Sequence, residues 1–271
     1  MANKPFLLSL LFFWCSCLSL HAQEWELLDS VRIGKVTAFA EDLMGKVYLG
    51  TSQGAVWRFA DAYDKGERFV PRMPSAVTAI DASKGNQVFV HYGDLQQYLL
   101  LNRFMAQEGE RYWVPQEEGI VNLLCPASDG SLWLLNQSRY SLMRYDPQTG
   151  MVLQERMLSG LDSDTAVNRF LALHEHCGRV FLQTENEGLW VFDLTGAWLG
   201  NQEVAGRWML SGLDRFLSQR MGRFFVQGLL GAEAEPLFLP ARAGKPEGLW
   251  WQGSLLLCWW EGYLYRFHKK G

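Results

Sequence analysis

The sequence has few cysteines, no excess of basic residues and no apolar run long enough to span a membrane. Five of its 271 residues are cysteine, and only Cys125, Cys177 and Cys258 lie outside the first 22 residues. Three cysteines cannot all pair within one chain, so no disulfide framework is predicted. The chain has 25 basic and 29 acidic residues. Because it lacks a clustered basic surface, neither nucleic acid nor an anionic lipid surface is an expected partner.

The apolar run at the N-terminus covers residues 6–20 and is therefore 15 residues long, whereas a spanning helix needs about 20. Lys4 precedes it and His21-Ala22-Gln23 follows, a pattern typical of a secretory signal peptide. We therefore expect a signal peptide over residues 1–22, no transmembrane segment after its removal, and a periplasmic or secreted protein of formal charge −5. A lipid anchor on Cys17 is the less favoured alternative, because Trp14-Cys15-Ser16 is a poor approach to such a cysteine.

The rest of the chain is rich in short apolar runs separated by glycine. It contains 26 Gly, 48% hydrophobic residues and 14% aromatic residues. The clearest segment covers residues 41–59, where a turn ends at Gly45, an apolar run passes through Val47 and Leu49, and a second turn at Gly54 precedes another apolar run. This alternation predicts two adjacent antiparallel strands.

The same pattern returns along the whole chain at intervals of 34 to 48 residues, the period expected of propellers and solenoids. The first turns fall at Gly45, Gly85, Gly130, Gly178, Gly212 and Gly253, and the second turns at Gly54, Asp94, Tyr140, Gly188, Gly222 and Gly262. With a flanking strand on each side, every unit becomes a four-stranded antiparallel blade. The sequence therefore predicts an all-β fold, a six-bladed β-propeller that forms a single domain over residues 23–271. The fifth unit is the least regular, and five or seven blades are the alternatives.

The two ends of the chain complement each other. The sixth unit reaches Gly271 after only three strands, whereas residues 25–31 belong to no complete unit. We expect this N-terminal strand to add as the outer strand of the last blade, because it would cover an otherwise exposed edge and close the ring.

Units 1, 3 and 4 also carry a more specific pattern. In unit 1 it comprises Gly45, residues 47–51 (VYLGT), Gly54 and residues 57–59 (WRF), and similar pieces recur at residues 128–134 and 188–193. This pattern resembles the repeat of the two-component-regulator propellers found in periplasmic sensor regions of Bacteroidetes-type bacteria. The resemblance implies a propeller fold and a sensor-like, protein-binding role, with a separate partner to supply the output.

Loops are the usual place for recognition in such a fold. In a propeller, the turns between the second and third strands share one face with the connections between blades. The candidate partner-binding residues predicted on that face are His91, Tyr92, Arg139, Glu185, Glu187, Arg220, Trp260 and Glu261. Their mixture of acids, arginines and aromatics suits a protein or an envelope glycan, and an ordinary solvated rim is the alternative interpretation.

Two other clusters have both a functional and a structural interpretation. His174, His176 and Cys177 could supply part of a zinc site, but the segment offers no fourth ligand, so we predict no metal there. Four tryptophans crowd the last unit, at positions 250, 251, 259 and 260. They could form a platform for sugars; adjacent strand residues point to opposite sides, however, so packing against both neighbouring blades is the favoured interpretation.

We found no nucleophile with a base, phosphate loop or calcium loop, and no cofactor is predicted. The acidic loops at residues 117–118 and 162–164 lack a second element that would define a catalytic role. The sequence therefore favours an exported, non-catalytic propeller that acts as a binding or scaffolding module. The alternative is a carbohydrate-active hydrolase or lyase with acidic loop residues at the mouth of the channel.

Overall fold

The computed structural model describes residues 25–60, 64–114, 119–161, 169–185, 188–202, 207–210, 215–220, 223–228, 234–240, 243 and 245–270. Its strands in chain order are β1 (Trp25–Arg32), β2 (Val36–Glu41), β3 (Val47–Thr51), β4 (Val56–Phe59), β5 (Glu67–Phe69), β6 (Ala79–Asp81), β7 (Gln87–Tyr92), β8 (Gln97–Asn102), β9 (Gln107–Trp113), β10 (Val121–Pro126), β11 (Leu132–Asn136), β12 (Ser141–Asp146), β13 (Met151–Met157), β14 (Phe170–His176), β15 (Arg179–Thr184), β16 (Leu189–Asp193), β17 (Trp198–Gln202), β18 (Arg207–Leu210), β19 (Arg215–Arg220), β20 (Arg223–Gly228), β21 (Glu235–Leu237), β22 (Gly248–Gln252), β23 (Leu255–Trp260) and β24 (Tyr263–Lys269). One short 3₁₀ turn, Gly93–Leu95, interrupts them.

These strands form six four-stranded antiparallel sheets, which confirms the predicted six-bladed propeller. Blade 1 contains β2 to β5, blade 2 contains β6 to β9, blade 3 contains β10 to β13, blade 4 contains β14 to β17, blade 5 contains β18 to β21, and blade 6 contains β22 to β24 with β1. We letter the strands of each blade A to D from the centre outward. The A–B and C–D turns of all blades then lie on one face of the ring, called the A–B face, and the B–C turns lie on the opposite B–C face.

The N-terminal strand closes the ring as predicted. β1 pairs with β24 from Trp25 opposite Lys269 to Arg32 opposite Tyr263, with a bulge between Leu27 and Asp29. It supplies the D strand of blade 6, so the last C strand is not left as an unpaired edge.

Glycines set the tight turns of the repeat. Gly54 has a φ of +86°, and a Cβ built there would lie 2.6 Å from the Ser75 carbonyl oxygen. Only glycine combines that backbone conformation with the absence of a side chain. Two of the predicted turn glycines, Gly212 and Gly222, lie outside the described residues. Within those residues, no helix has the length and apolarity needed to cross a membrane.

The hydrophobic core is divided among the interfaces between blades. One cluster joins blades 1 and 2, another joins blades 2 and 3, and others join blades 3 and 4, 5 and 6, and 6 and 1. Adjacent residues of one strand enter different clusters, because successive side chains point to opposite faces of a blade. In β23, for example, Cys258 packs toward blade 5 and Trp259 toward blade 1. The tryptophans of blade 6 are therefore core residues, as favoured from the sequence.

Three arginines join neighbouring blades on the A–B face. Each lies on a C strand, and its guanidinium donates a hydrogen bond to a carbonyl in the C–D turn of the next blade. The donor and carbonyl pairs are Arg58 with Arg103, Arg144 with Leu194, and Arg266 with Asp64. We call these three residues the bridging arginines. Each is also paired with a carboxylate of its own blade, Glu67, Asp129 and Asp29 respectively.

Candidate functional site: an aromatic cleft between blades 2 and 3

A cleft of about 350 Å³ lies between blades 2 and 3 and opens on the A–B face. Blade 2 supplies Asp81, Lys84, Gln87, Phe89, Tyr98, Leu100 and Tyr112, and blade 3 supplies Pro126, Gly130, Leu132, Pro147 and Gln148. We call this feature the aromatic cleft. Its size falls at the lower end of the range for small-ligand pockets, roughly 300 to 1,000 Å³.

Three stacked rings form the blade 2 wall of the cleft. The ring centroids of Phe89 and Tyr98 lie 5.0 Å apart, as do those of Tyr98 and Tyr112, with interplanar angles of 27° and 13°. The stack follows from strand register, because Tyr98 lies opposite Tyr112 in the β8 and β9 pair and their side chains share one face of the blade. Phe89 and Tyr98 are buried, whereas Tyr112 is 42% exposed. The outermost ring is thus accessible to a ligand.

Polar side chains surround the apolar wall. The Asp81 carboxylate accepts hydrogen bonds from the backbone amide and hydroxyl of Ser83, at 2.9 and 2.6 Å, and is held in place by them. Gln87 donates its amide to Glu108 Oε2 at 2.9 Å. Burial, with smaller effects from the neighbouring Tyr112 and Tyr145, raises the pKa of Tyr98 to about 12, so its phenol is neutral at physiological pH. The cleft therefore combines flat apolar surface with nearby carboxylates.

The cleft coincides with the absence of a bridging arginine. Leu100 holds the third position of the C strand segment in blade 2 (Tyr98-Leu99-Leu100-Leu101), where blade 3 has Arg144 in Leu142-Met143-Arg144-Tyr145. Leu100 lines the cleft and so does Pro147, which lies in the C–D turn of the next blade. An apolar leucine cannot donate to that turn, and the space between the two blades stays open.

His91 lies at the same interface. In β7, Val88, Val90 and Tyr92 pack against blade 1, and Phe89 packs against blade 3, so the alternation of the strand directs His91 toward blade 3. Its side chain is fully buried, and neither ring nitrogen has a hydrogen-bond partner. Burial lowers the pKa of His91 to about 3. The imidazole is therefore neutral at physiological pH, and its N–H is an unsatisfied donor inside the protein.

The predicted exposure of His91 and Tyr92 at a B–C turn is wrong. β7 continues through Tyr92, and both side chains are buried. The Tyr92 hydroxyl donates to the Gly54 carbonyl at 3.0 Å and so joins blade 2 to blade 1. Neither residue offers a free surface in this structure, because the strand extends further than the turn pattern indicated.

Two of the other predicted site residues, Arg139 and Glu185, lie at B–C turns. Arg139 lies 3.5 Å from the Glu155 carboxylate, and Glu185 lies 4.0 Å from Arg169. Both pairs are largely exposed. Glu187 and the side chain of Arg220 lie outside the described part of the structure. The role of these residues in partner binding stays a prediction.

In blade 6, the two predicted residues differ in their environments. Trp260 is half-buried, and its ring stacks on Tyr265 with centroids 3.5 Å apart. Glu261 is exposed at the turn with a φ of +51°. One face of the Trp260 ring is thus already covered by the protein itself.

The His174, His176 and Cys177 segment lies at the A–B turn of blade 4. Cys177 Sγ lies 3.0 Å from His176 Nε2, and burial lowers the pKa of His174 to about 4. Between them, Glu175 accepts hydrogen bonds from the Trp133 indole at 2.7 Å and from the Ser128 amide at 2.9 Å. The described residues contain no group of three or more His, Cys, Asp or Glu placed to hold a metal ion.

Solved structures with similar folds are β-propellers. The chain matches the Pan2 WD40 domain of Neurospora crassa with a TM-score of 0.63 and 10% identity, over 92% of this chain and 97% of that one. It matches virginiamycin B lyase from Staphylococcus aureus with a TM-score of 0.61 and 10% identity, over 91% of this chain and all of the lyase. The propeller domain of Cps50 (Swd1) from Myceliophteria thermophila gives 0.58 and 10%, over 89% and 99%.

At these identities the comparisons show the fold and not the activity. No family model matches the sequence, and none of the curated proteins matches it. The chain is a β-propeller.

Proposed function

We propose that this chain is an exported, non-catalytic binding module whose partner is a protein, and that the aromatic cleft receives part of that partner. The observation that carries the proposal is the cleft itself, a preformed opening whose apolar wall ends in the accessible ring of Tyr112. Exposed aromatic side chains beside a concave site are typical anchors of protein recognition.

A protein partner is favoured over a glycan because the tryptophans of blade 6, which could have formed a platform for sugars, are occupied within the protein. Trp250 and Trp259 are buried, and Tyr265 covers a face of Trp260. The indole N–H of Trp250 donates to Glu41 at 2.9 Å, and that of Trp251 donates to the Gly253 carbonyl at 2.9 Å. These contacts fix the tryptophans within blade 6 and against blade 1, so blade 6 offers little flat aromatic surface to a carbohydrate.

Export and a periplasmic or secreted location rest on the signal peptide predicted over residues 1–22. The sensor-like role rests on the resemblance of units 1, 3 and 4 to two-component-regulator propellers. The hydrolase or lyase alternative stays a prediction from the acidic loops, because the likeness to virginiamycin B lyase is one of fold. The experiment below tests the cleft as a binding site, whichever of these proposals holds.

The test compares three immobilised proteins, each covering residues 23–271, in envelope extracts of the source organism. They are the wild type, Tyr112→Ala in the cleft, and Tyr263→Ala near the B–C face. Tyr112 and Tyr263 are 42% and 39% exposed, so each substitution removes a ring of similar accessibility. We expect the wild type and Tyr263→Ala to retain the same protein, and Tyr112→Ala to lose most of it. The assignment of the cleft is contradicted if Tyr112→Ala retains as much of the partner protein as the wild type does, or if only Tyr263→Ala loses it. Recovery of glycan without protein would contradict a protein partner.

A further inference from the structure

We infer that the aromatic cleft binds the guanidinium group of an arginine on the partner protein, which takes the place of the bridging arginine that blade 2 lacks. This inference rests on the proposed function and adds the chemistry of the bound group. Blades 1, 3 and 6 have a bridging arginine, whereas blade 2 has Leu100 and blade 4 has Val191 at the corresponding place.

The bridging arginines show what this position binds when it is filled. Arg144 donates to the Leu194 carbonyl at 3.0 Å and to the Ser131 hydroxyl at 2.9 Å, and it pairs with Asp129. Its guanidinium carbon also lies 5.6 Å from the centroid of the Trp133 ring. The filled position thus offers a carbonyl, a carboxylate and an aromatic ring to one guanidinium.

The carboxylate is retained in blade 2. In blade 1, Arg58 lies opposite Glu67 on the D strand, and the two form an ion pair at 2.5 Å. In blade 2, Leu100 lies opposite Glu108 at the corresponding place. Glu108 has no arginine opposite it, and its described hydrogen-bond partner is the neutral amide of Gln87.

The aromatic ring is retained as well. Arg144 lies opposite Trp133 on the B strand of blade 3, and Leu100 lies opposite Phe89 on the B strand of blade 2. Phe89 and the adjoining Tyr98 and Tyr112 present ring surface to the cleft. A guanidinium stacks favourably on such rings.

The C–D turns of blades 3 and 4 begin in the same way, which gives the cleft a backbone carbonyl. In blade 4, the Asp193 carboxylate accepts the Thr195 amide at 2.8 Å, and the carbonyl of the intervening Leu194 accepts Arg144. In blade 3, the Asp146 carboxylate accepts the Gln148 amide at 2.8 Å in the same way. The intervening residue is Pro147, which lines the cleft. The two turns begin alike but differ in length, since the Gly150 amide donates to the Asp146 carbonyl in blade 3 and the Gly196 amide donates to the Asp193 carbonyl in blade 4. Their shared first step places the backbone of Pro147 beside the cleft.

An arginine fits these groups better than a lysine. Its planar fork can donate to a carboxylate and a carbonyl at once while lying on a ring, whereas an ammonium is a strongly hydrated point charge. Lys84 at the rim is exposed, so it opposes any bound cation only weakly through solvent. The carboxylate and the carbonyl at the cleft therefore favour the guanidinium of arginine over the ammonium of lysine.

The experiment titrates the protein with three short blocked peptides, Ac-Gly-X-Gly-NH₂, in which X is arginine, lysine or citrulline. Calorimetry and the shift of the unfolding temperature are the readouts. We expect saturable binding of the arginine peptide in the millimolar range, as suits one side chain, and at least tenfold weaker binding of the other two. Citrulline has nearly the shape of arginine without its charge, so it separates charge from fit.

Variants then locate the binding. Leu100→Arg should fill the cleft from within and weaken peptide binding at least tenfold, and Glu108→Gln should weaken it several-fold. The matched control is Gln107→Arg, which adds an arginine next to Glu108 at an exposed position of β9. This variant should bind the arginine peptide as the wild type does. If Leu100→Arg does not fold, Tyr112→Ala and Glu108→Gln still decide the question.

The inference is overturned if the arginine peptide shows no saturable binding, if citrulline binds equally well, or if neither Glu108→Gln nor Tyr112→Ala weakens binding. Its failure is distinguishable from failure of the proposed function. If arginine peptides do not bind but Tyr112→Ala still abolishes capture of the partner protein, the cleft is the docking site and the bound group is not arginine. If capture is also unchanged, both proposals are wrong.

Discussion

The interface between blades 3 and 4 and the interface between blades 2 and 3 are built from equivalent strands, but only the first is closed at the A–B face. Arg144 reaches across the first and binds the Leu194 carbonyl. Leu100 stands at the second, where an opening of about 350 Å³ remains and the nitrogens of the buried His91 have no partner. In this comparison, the arginine on the C strand accompanies the joined interface, and the leucine at the same position accompanies the open one.

The closure seam between blades 6 and 1 should be the most sensitive to loss of a bridging arginine. The side chain of Arg266 is 2% exposed, pairs with Asp29 and donates to the Asp64 carbonyl. We expect Arg266→Met to lower the free energy of unfolding by about 3 kcal/mol, because the half-exposed Asp29 carboxylate and the Asp64 carbonyl lose a charged donor that is itself buried. Denaturant unfolding measures the change. The exposed Arg179→Met is the control, and an equal change in both variants would contradict the role of the seam.

The second prediction uses pH to probe His91 at the open interface. Its pKa is lowered to about 3 in the folded protein from about 6.5 when unfolded. The unfolded chain therefore binds a proton that the folded protein excludes, so the stability present above pH 6.5 is lost as the pH falls toward 3. We expect His91→Phe to retain about 3 kcal/mol more of its pH 7 stability at pH 4 than the wild type does.

A remaining acid sensitivity is expected in that variant, because burial also lowers the pKa of His174 to about 4. The half-buried His268 provides the control substitution, His268→Phe. Unfolding curves at several pH values give the slopes. If His91→Phe keeps the slope of the wild type, His91 is not buried as the structure has it.

The third prediction converts the closed interface into an open one. Arg144→Leu reproduces the residue found at position 100, and we expect it to cost about 1 to 2 kcal/mol of stability, since the pair with Asp129 is partly exposed. It should also create a second site for the arginine peptide. Peptide stoichiometry and unfolding together test this, with the exposed Arg156→Leu as control. If Arg144→Leu binds no more arginine peptide per chain than the wild type does, loss of the arginine in blade 3 does not create a site, and the relation between the missing arginine and the cleft holds for blade 2 alone.

Local patterns explain why most of the fold was predictable. Gly54 and its counterparts mark turns by their backbone conformation, and alternation along the strands gives the blade faces. The sixth unit has only three strands of its own, and the missing fourth strand predicted where residues 25–31 would pair. His91 and Tyr92 were misplaced because the end of β7 has no local signal that separates a buried strand end from a turn.

The aromatic cleft was not predicted, because it depends on a position in one blade relative to a turn in the next. A signal was nevertheless present. The segments VWRF, LMRY and LYRF, at residues 56–59, 142–145 and 264–267, share an arginine at the third position, where residues 98–101 (YLLL) have Leu100 and residues 189–192 (LWVF) have Val191. That difference has no meaning until the structure shows that each of these arginines reaches the neighbouring blade.

A crystal structure of Leu100→Arg tests the central claim most directly. If the cleft is the empty position of a bridging arginine, the new guanidinium will lie between blades 2 and 3, donate to the Pro147 carbonyl, pair with Glu108 and lie against the Phe89 ring. A side chain that turns to solvent, with the cleft still open beneath it, would contradict the claim.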